Sequence, residues 1–261
     1  MAHEFDGKKY TVASAHQKEW GARLIQELNI SGTERILDLG CGDGALTFQL
    51  AMLTQGTVTG IDASHGMIQT AQSYVAENLS FEVHDIDELD FENDFDIVFS
   101  NATLHWIRNH EVLLKNVFHA LKIGGVLRFN FAGDGNCANF FGVVKEAMKQ
   151  PQFESYFSHF EWPWYMPTIE EYKLLVRNSP LTESRVWSEI ADRHFPDSET
   201  MIKWIDQPSL VPFMKLLPDE QKEEFRQFVI DHMILKTCQA NGKCFETFRR
   251  INVVARKCSQ A

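Results

Sequence analysis

The stretch ILDLGCGDGALT, residues 36–47, carries a short apolar run through an aspartate into three glycines, Gly40, Gly42 and Gly44. A buried strand that ends in a glycine-rich turn and enters a helix aims backbone N–H groups at one point, an arrangement suited to a charged ligand. Gly40, Gly42 and Ala45 fit the dinucleotide spacing G-x-G-x-x-G/A, and an acidic residue, Asp62, follows about 20 positions later. Asp38 changes that reading. It lies two places before the first glycine, at the carboxyl end of the strand, where a docked pyrophosphate would feel its repulsion. A ligand carrying an ammonium and a sulfonium would instead be attracted, and S-adenosylmethionine has both, together with a ribose diol for an acidic residue to accept from. Asp38 as a helix cap is the plainer alternative.

Outward from this loop the pattern alternates. Residues 10–29 have helical spacing at Ala22, Leu24, Ile25 and Leu28, Ile36–Leu39 is a short buried strand, and residues 45–53 are helical. Residues 57–61 form a second strand, followed by a helix from Ser64, a natural N-cap, to Ala76. Strands follow at 79–83 and 95–100, then a helix at 111–121 that Gly124 and Gly125 stop, then a strand at 126–131. This order predicts an α/β fold: a Rossmann-like, mostly parallel seven-stranded sheet with helices on both faces. After Gly133-Asp134-Gly135 the regularity lapses. Residues 136–180 and 196–243 read as helices and loops, separated by a strand-like segment at 186–195, with a last strand at 246–257. The expectation is one domain, residues 1–261, with a helical lid inserted at about 136–180 and 196–243.

Composition bounds the function. The 261 residues are 44% hydrophobic, as in an ordinary globular protein. The formal net charge of −11 argues against nucleic acid, whose phosphates need an excess of Lys and Arg. Neither a leader-like apolar start nor a membrane-spanning stretch is visible, so no membrane partner is expected and a cytoplasmic location is. The five cysteines, at 41, 137, 238, 244 and 258, lack metal-site spacing and read as reduced thiols. The acidic run from Glu82 to Asp96 lacks the central glycine and terminal glutamate of a calcium loop, so no metal is expected.

Four motifs in order carry a family resemblance. ILDLGCGDG resembles the first motif of the Rossmann-like methyltransferases that use S-adenosylmethionine and release S-adenosylhomocysteine. VTGIDAS (58–64) resembles the second, VHDID (83–87) the third, and FDIVFSNATLHWI (95–107) the fourth strand and the loop lining the transfer site. The resemblance implies cofactor contacts at Asp38, Gly40, Cys41, Gly42, Asp62, Ala63, Met67, Asp85, Ile86, Asn101 and Ala102. In it Asp62 takes the ribose hydroxyls, Asp85 the adenine amine and Ile86 the adenine ring. Cys41 reads as a small space-filling residue rather than a nucleophile.

SNATLHW is similar to the group containing the trans-aconitate, malonyl-acyl-carrier and juvenile hormone acid methyltransferases. YTVASAHQKEW (10–20) resembles their N-terminal helix at Tyr10, Ser14 and Gln17, and residues 241–257 resemble the closing strand of the trans-aconitate enzymes. The implied reaction is carboxyl methylation of a small molecule, with Gln17 and Trp106 as neutral donors and His105 as a donor, a base or a structural histidine. A carboxylic acid of pKa near ~4 is ionised at neutral pH and needs no general base. Methylation of a nitrogen, hydroxyl or carbon, and a non-catalytic cofactor-binding role, share every cofactor motif; a nicotinamide dehydrogenase shares only the glycine loop. FESYFSHFEWPWYMP (153–167) holds seven aromatic residues, either a satellite core or a water-excluding wall. No arginines line it, which favours a hydrophobic monoacid over a polyacid. Arg249 and Arg250 on the last strand are the remaining candidates for a second carboxylate, with a solvated surface role as the equal alternative.

Overall fold

The computed structural model describes residues 15–259, so Tyr10 and Ser14 lie outside the described residues. The first half alternates α1 (Ala15–Glu27), β1 (Ile36–Leu39), α2 (Ala45–Ala51), β2 (Val58–Asp62), α3 (His65–Ala71), β3 (Leu79–Val83), β4 (Phe95–Asn101), α4 (His110–Ala120) and β5 (Leu121–Ala132). Then come α5 (Ala138–Met148), α6 (Ile169–Arg177), β6 (Thr182–Ile190), β7 (Arg193–Phe195), α7 (Ser198–Trp204), α8 (Val211–Met214), α9 (Asp219–Thr237), β8 (Cys244–Glu246) and β9 (Arg249–Arg256). These elements fall into two compact units. The first holds described residues 15–134, 164–189 and 250–259; the second holds 135–163 and 190–249.

In the first unit the strands lie in the order β3-β2-β1-β4-β5-β9-β6. The pairs from β3 to β5 are parallel, and β9 is antiparallel to β5. The Rossmann-like mostly parallel sheet of seven strands is therefore present as expected. The strand order reverses between β1 and β4, and ligands in open α/β sheets sit beyond the carboxyl ends of the strands at such a point. One face of the sheet packs Leu37, Leu39, Val98, Phe129, Phe131, Ile251 and Val253 against Leu113, Val117, Tyr172 and Val176 of α4 and α6. The other packs Ile36, Val58, Ile97 and Phe99 against Leu24, Ile25 and Leu50 of α1 and α2.

Alternation along β5 and β9 has a chemical consequence. Phe129, Phe131, Ile251 and Val253 enter the apolar face, so Arg128, Asn130, Arg250 and Asn252 share the opposite one. All four are buried. They hydrogen-bond in a chain: Arg250 Nε donates to Asn130 Oδ1 (2.8 Å), and Asn130 Nδ2 and Arg128 Nη2 both donate to Asn252 Oδ1 (2.9 Å each). Arg128 also forks onto Glu27 of α1 at 2.8 and 3.0 Å. Polar groups are thereby satisfied where a sheet face would otherwise be apolar.

Three expectations need correcting. Gly124 and Gly125 do not separate helix from strand: α4 ends at Ala120 and β5 begins at Leu121. Leu121 pairs with Phe95 and Val126 with Ile97, so the glycines fill a bulge, with Gly124 at φ 84°. The segment 186–195 is not one strand: β6 joins the large sheet, whereas β7 pairs with β8 in a two-stranded sheet. The cysteines are not all thiols. Cys238 and Cys244 meet across an antiparallel bridge and form a disulfide, whereas Cys41, Cys137 and Cys258 are outside any disulfide.

The second unit is built on aromatic packing. Phe153 and Phe157 lie 5.1 and 5.3 Å from Phe225 of α9, and Phe160 and Trp162 lie 5.0 and 5.8 Å from Phe213 of α8. Glu246, buried in β8, caps α5 by accepting from Asn139 N (3.1 Å) and Phe140 N (2.9 Å). Among the described residues no helix is long and apolar enough to cross a membrane.

Candidate active site

The glycine loop is held by contacts that leave no room for a side chain at its first glycine. Gly40 has φ 70°, and a Cβ there would sit 2.0 Å from Thr103 Cγ2. Thr103 Oγ1 donates back to Gly40 O at 3.0 Å, so the loop after β1 and the loop after β4 are locked together. Gly42 N donates to Asp62 Oδ2 (3.0 Å) and Ser64 N to Asp62 Oδ1 (2.9 Å), which fixes that carboxylate at the end of β2. Ser64 in turn caps α3, its Oγ accepting from Met67 N at 3.3 Å, and the Met67 side chain is buried. Ala63, between Asp62 and Ser64, is half-buried.

Asp38 is buried at the heart of this loop and accepts from Thr47 Oγ1 at 2.8 Å. Burial dominates its electrostatics. Desolvation, opposed by the Thr47 hydroxyl and aided by the charge of Asp62, pushes its carboxyl up to about 7. Such a site favours a cation that restores the lost solvation. Burial, then the charges of Asp38 and Asp62, likewise drive the Cys41 thiol well above its ordinary range, so it stays protonated and is no nucleophile. Asp85, half-buried after β3, accepts from Asp87 N at 3.1 Å, and Ile86 beside it is buried. Asp43 of the loop pairs with Lys18 of α1 at 2.6 Å.

The far end of the site forms around the loop after β4. Asn101 Nδ2 donates to Gln17 O at 2.8 Å, tying α1 to the strand end. Ala102 holds φ 59°, a strained value for a residue with a Cβ, and its N–H donates to Asn130 O at 2.7 Å. Gln17 Oε1, Asn101 Oδ1 and His105 Nδ1 are buried without a hydrogen-bond partner among the described residues. Three orphaned polar atoms on one loop and the helix tied to it indicate a polar ligand. Burial, and then Arg250 and His110, lower the His105 pKa well below its ordinary value, so its imidazole is neutral. His110, by contrast, is structural, with Nδ1 2.9 Å from Tyr172 Oη and Nε2 2.8 Å from Leu104 O.

One aromatic residue of α1, Trp20, was not singled out in the sequence. The aromatic segment divides: residues 153–162 supply the core of the second unit, whereas Trp164 lies 5.2 Å from Trp106 and Tyr165 N donates to His105 O at 2.8 Å. Trp20, one helical turn beyond Gln17, packs under Arg250 with its ring centroid 4.7 Å from the guanidinium carbon. The i, i+3 spacing of Gln17 and Trp20 was the available signal. The adjacent arginines also part company: Arg249 donates to Asp192 in the second unit, whereas Arg250 is buried in the first. Among the described residues no group of three or more His, Cys, Asp or Glu is placed to hold a metal ion.

Comparison with known proteins defines the class. A family model described as a methyltransferase domain matches residues 30–168, and the chain belongs to that family. Over 200 residues, 73% of this chain and 75% of the relative, it is 30% identical to the trans-aconitate 2-methyltransferase of Deinococcus radiodurans. Over 112 residues, 42% of each chain, it is 40% identical to the malonyl-[acyl-carrier protein] O-methyltransferase of Bacillus cereus. The fold is shared with phosphoethanolamine N-methyltransferase 2 of Haemonchus contortus, solved with phosphomonomethylethanolamine and S-adenosylhomocysteine. That similarity has a TM-score of 0.58 at 18% identity and covers 96% of this chain and 58% of that one. The chain is an S-adenosylmethionine-dependent methyltransferase. Its own residues fit that cofactor: a desolvated carboxyl at Asp38, a loop in which a Cβ at Gly40 would clash, and a second carboxylate at Asp62 held by two backbone N–H groups.

Proposed function

We propose that the chain methylates the carboxylate of a small-molecule acid, giving a methyl ester. The neutral acceptor end carries this reading: His105 Nδ1 is buried and unpaired among the described residues and can donate in one tautomer, and the ring is held uncharged. In this proposal Asp38 meets the cofactor's ammonium, Asp62 its ribose hydroxyls and Asp85 with Ile86 its adenine. Gly40, Cys41, Gly42, Ala63, Met67, Asn101 and Ala102 complete the cradle. When bound, the cofactor supplies an electrophilic methyl group on a positively charged sulfur.

The protein's share of the work is orientation and exclusion of water. Gln17 and Trp106 offer neutral donors that turn a carboxylate oxygen toward the methyl group without a tight ion pair, which would stabilise the ground state and blunt the nucleophile. Trp164 against Trp106 supplies an apolar wall. Attack brings opposite charges together and cancels them, so a dry site favours it. A hydroxyl or amine acceptor would need a base with a pKa nearer the working pH, and burial and Arg250 keep His105 well below that. The lid expected at about residues 136–180 and 196–243 belongs to the proposal, and slower hydrogen exchange there with cofactor product and acid both present would support that part.

The deciding experiment supplies methyl-labelled cofactor with a panel of carboxylic acids, alcohols and amines. An ester releases its label as methanol in mild alkali, whereas ethers and methylamines keep it. Label that survives alkali on every product would overturn the reading.

A further inference from the structure

We propose that His110 and Tyr172 are positioning residues for methyl transfer: acting through Leu104, they hold the acceptor turn Leu104–Trp106 and fix the direction of the His105 side chain. The inference rests on the placement of the acceptor site at this turn, whichever group, carboxylate, hydroxyl or amine, receives the methyl.

Three consecutive residues of the acceptor loop are pinned by three different parts of the chain. Thr103 Oγ1 donates to Gly40 O of the cofactor loop at 3.0 Å. Leu104 O accepts from His110 Nε2 of α4 at 2.8 Å, and His105 O accepts from Tyr165 N, ahead of α6, at 2.8 Å. Tyr172 of α6 backs the arrangement with its hydroxyl 2.9 Å from His110 Nδ1, and the Tyr165 ring lies 4.8 Å from the imidazole. All of these residues belong to the first unit. Leu104 O and His105 O sit on the two peptide planes that flank the His105 Cα. Peptide planes are rigid, so anchoring both fixes the direction in which the His105 side chain leaves the backbone. Its Nδ1 is the buried atom without a partner among the described residues.

The chemistry of the pair gives it one arrangement. His110 is buried and neutral at working pH, so its ring has one donor and one acceptor. A carbonyl can only accept, so Nε2 carries the proton toward Leu104 and Nδ1 accepts from the Tyr172 hydroxyl. Burial raises the Tyr172 pKa and keeps that hydroxyl a donor. Leu104 O also accepts from Ile107 N at 2.9 Å, so both of its lone pairs are engaged. The backbone needs such holding: Ala102, just before the pinned residues, sits at φ 59°, and a strained conformation persists only where its surroundings over-determine it. Neither His110 nor Tyr172 is placed at a reacting group. They act on the turn that carries His105 and Trp106, where a shift of about 1 Å is enough to slow a reaction by about a hundredfold.

The test begins with hydrogen exchange, which needs no acceptor. The amides of Trp106 and Ile107 bond to Thr103 O and Leu104 O, at 2.9 Å each, and report on the turn. In His110→Phe, which keeps a ring and loses both hydrogen bonds, they should exchange about tenfold or more faster than in wild type, while the glycine-loop amides should not change. S-adenosylhomocysteine affinity close to wild type would show that the variant is folded. Turnover is then measured with methyl-labelled cofactor and the best acceptor from a panel of acids, alcohols and amines. The kcat should fall by about tenfold to a hundredfold in His110→Phe and by about threefold to tenfold in Tyr172→Phe, with the KM for cofactor unchanged. His110→Gln, which can still donate to Leu104 O, should recover part of the loss. Val176→Ala, one turn along α6 from Tyr172 and in the same apolar core, should lose stability at an unchanged kcat. If His110→Phe does not fold, Tyr172→Phe decides by the same two readouts. Wild-type exchange in the turn, an unchanged kcat, or an equal fall in kcat in Val176→Ala overturns the proposal. Label found only on alcohols or amines overturns the carboxylate reading and leaves this one standing, because each comparison is made within one acceptor. If nothing in the panel is methylated, the exchange comparison alone decides it.

Discussion

Thr47 Oγ1 donates a 2.8 Å hydrogen bond to Asp38 Oδ2, and both residues are buried. One hydroxyl does not replace the water lost on burial, and Asp62 adds repulsion, so the carboxyl sits at about 7. The protein without ligand therefore holds an acid that ionises reluctantly, at the position proposed to meet the cofactor's ammonium.

A pH dependence follows with a definite sign. The folded-state pKa is raised above the unfolded value near ~3.9, so the Asp38 contribution to stability is full at low pH and is lost as pH rises toward about 7. Cofactor-product affinity should move oppositely, rising by up to about tenfold per unit below about pH 7 and levelling above it. Asp38→Asn should stabilise the ligand-free protein at pH 8, by at most about 4 kcal/mol, while weakening cofactor binding. Thermal melts and calorimetry across pH check both halves. A wild-type affinity flat from pH 5 to 8 would contradict the assignment.

Gly40→Ala tests the lock between the two loops. The new Cβ would lie 2.0 Å from Thr103 Cγ2 at a backbone φ of 70°, so the Thr103 hydrogen bond to Gly40 must break. A loss of about 2–4 kcal/mol in denaturant unfolding is expected, with cofactor binding reduced beyond detection. The double variant Gly40→Ala with Thr103→Ser should recover part of the stability, because it removes the nearest clashing carbon.

Tyr172→Phe should unsettle the acceptor loop from behind. It leaves His110 Nδ1 buried without its 2.9 Å partner, at a cost of about 1–3 kcal/mol. Burial lowers the His110 pKa to about 4, against a weaker opposite pull from backbone hydrogen bonds. Its contribution to stability is therefore present above about pH 6.5 and is lost as pH falls toward about 4. His110→Phe should flatten that acid-side loss in urea titrations.

The acceptor residues should separate kinetically. Gln17→Ala or Trp106→Phe should slow transfer by roughly tenfold to a hundredfold, about 1.4–2.7 kcal/mol, while cofactor binding persists. His105→Ala should cost less than either, because a carboxylate has no proton to remove. At saturating cofactor and acid the rate should stay flat from about pH 6 upward. A rate that rises through a histidine-like pKa would instead make His105 a base.

Much of the first unit was legible because its signals are local. The strands at 36–39 and 79–83 and the cap at Ser64 follow from short apolar runs and one side-chain type, and the structure reproduces all three. The β5 bulge was not legible. Gly124-Gly125 reads as a stop after a helix, and only pairing with β4 on both sides of the glycines keeps them inside a strand.

The sequence by itself determined the glycine loop, the carboxylates beside it and the strands that run into them, since each depends on neighbours within a few residues. Tertiary structure decided which side chains share a site. Alternation in β9 says that Arg249 and Arg250 point to opposite sides, yet only the folded chain sets one against Asp192 and the other over Trp20. It also divided the aromatic segment, sending Phe153 to Phe225 and Trp164 to Trp106, and it paired Cys238 with Cys244. Periodicity fixes the direction of a side chain relative to its own element. What it meets there comes from residues far away along the chain, whose packing is settled only when the elements are assembled.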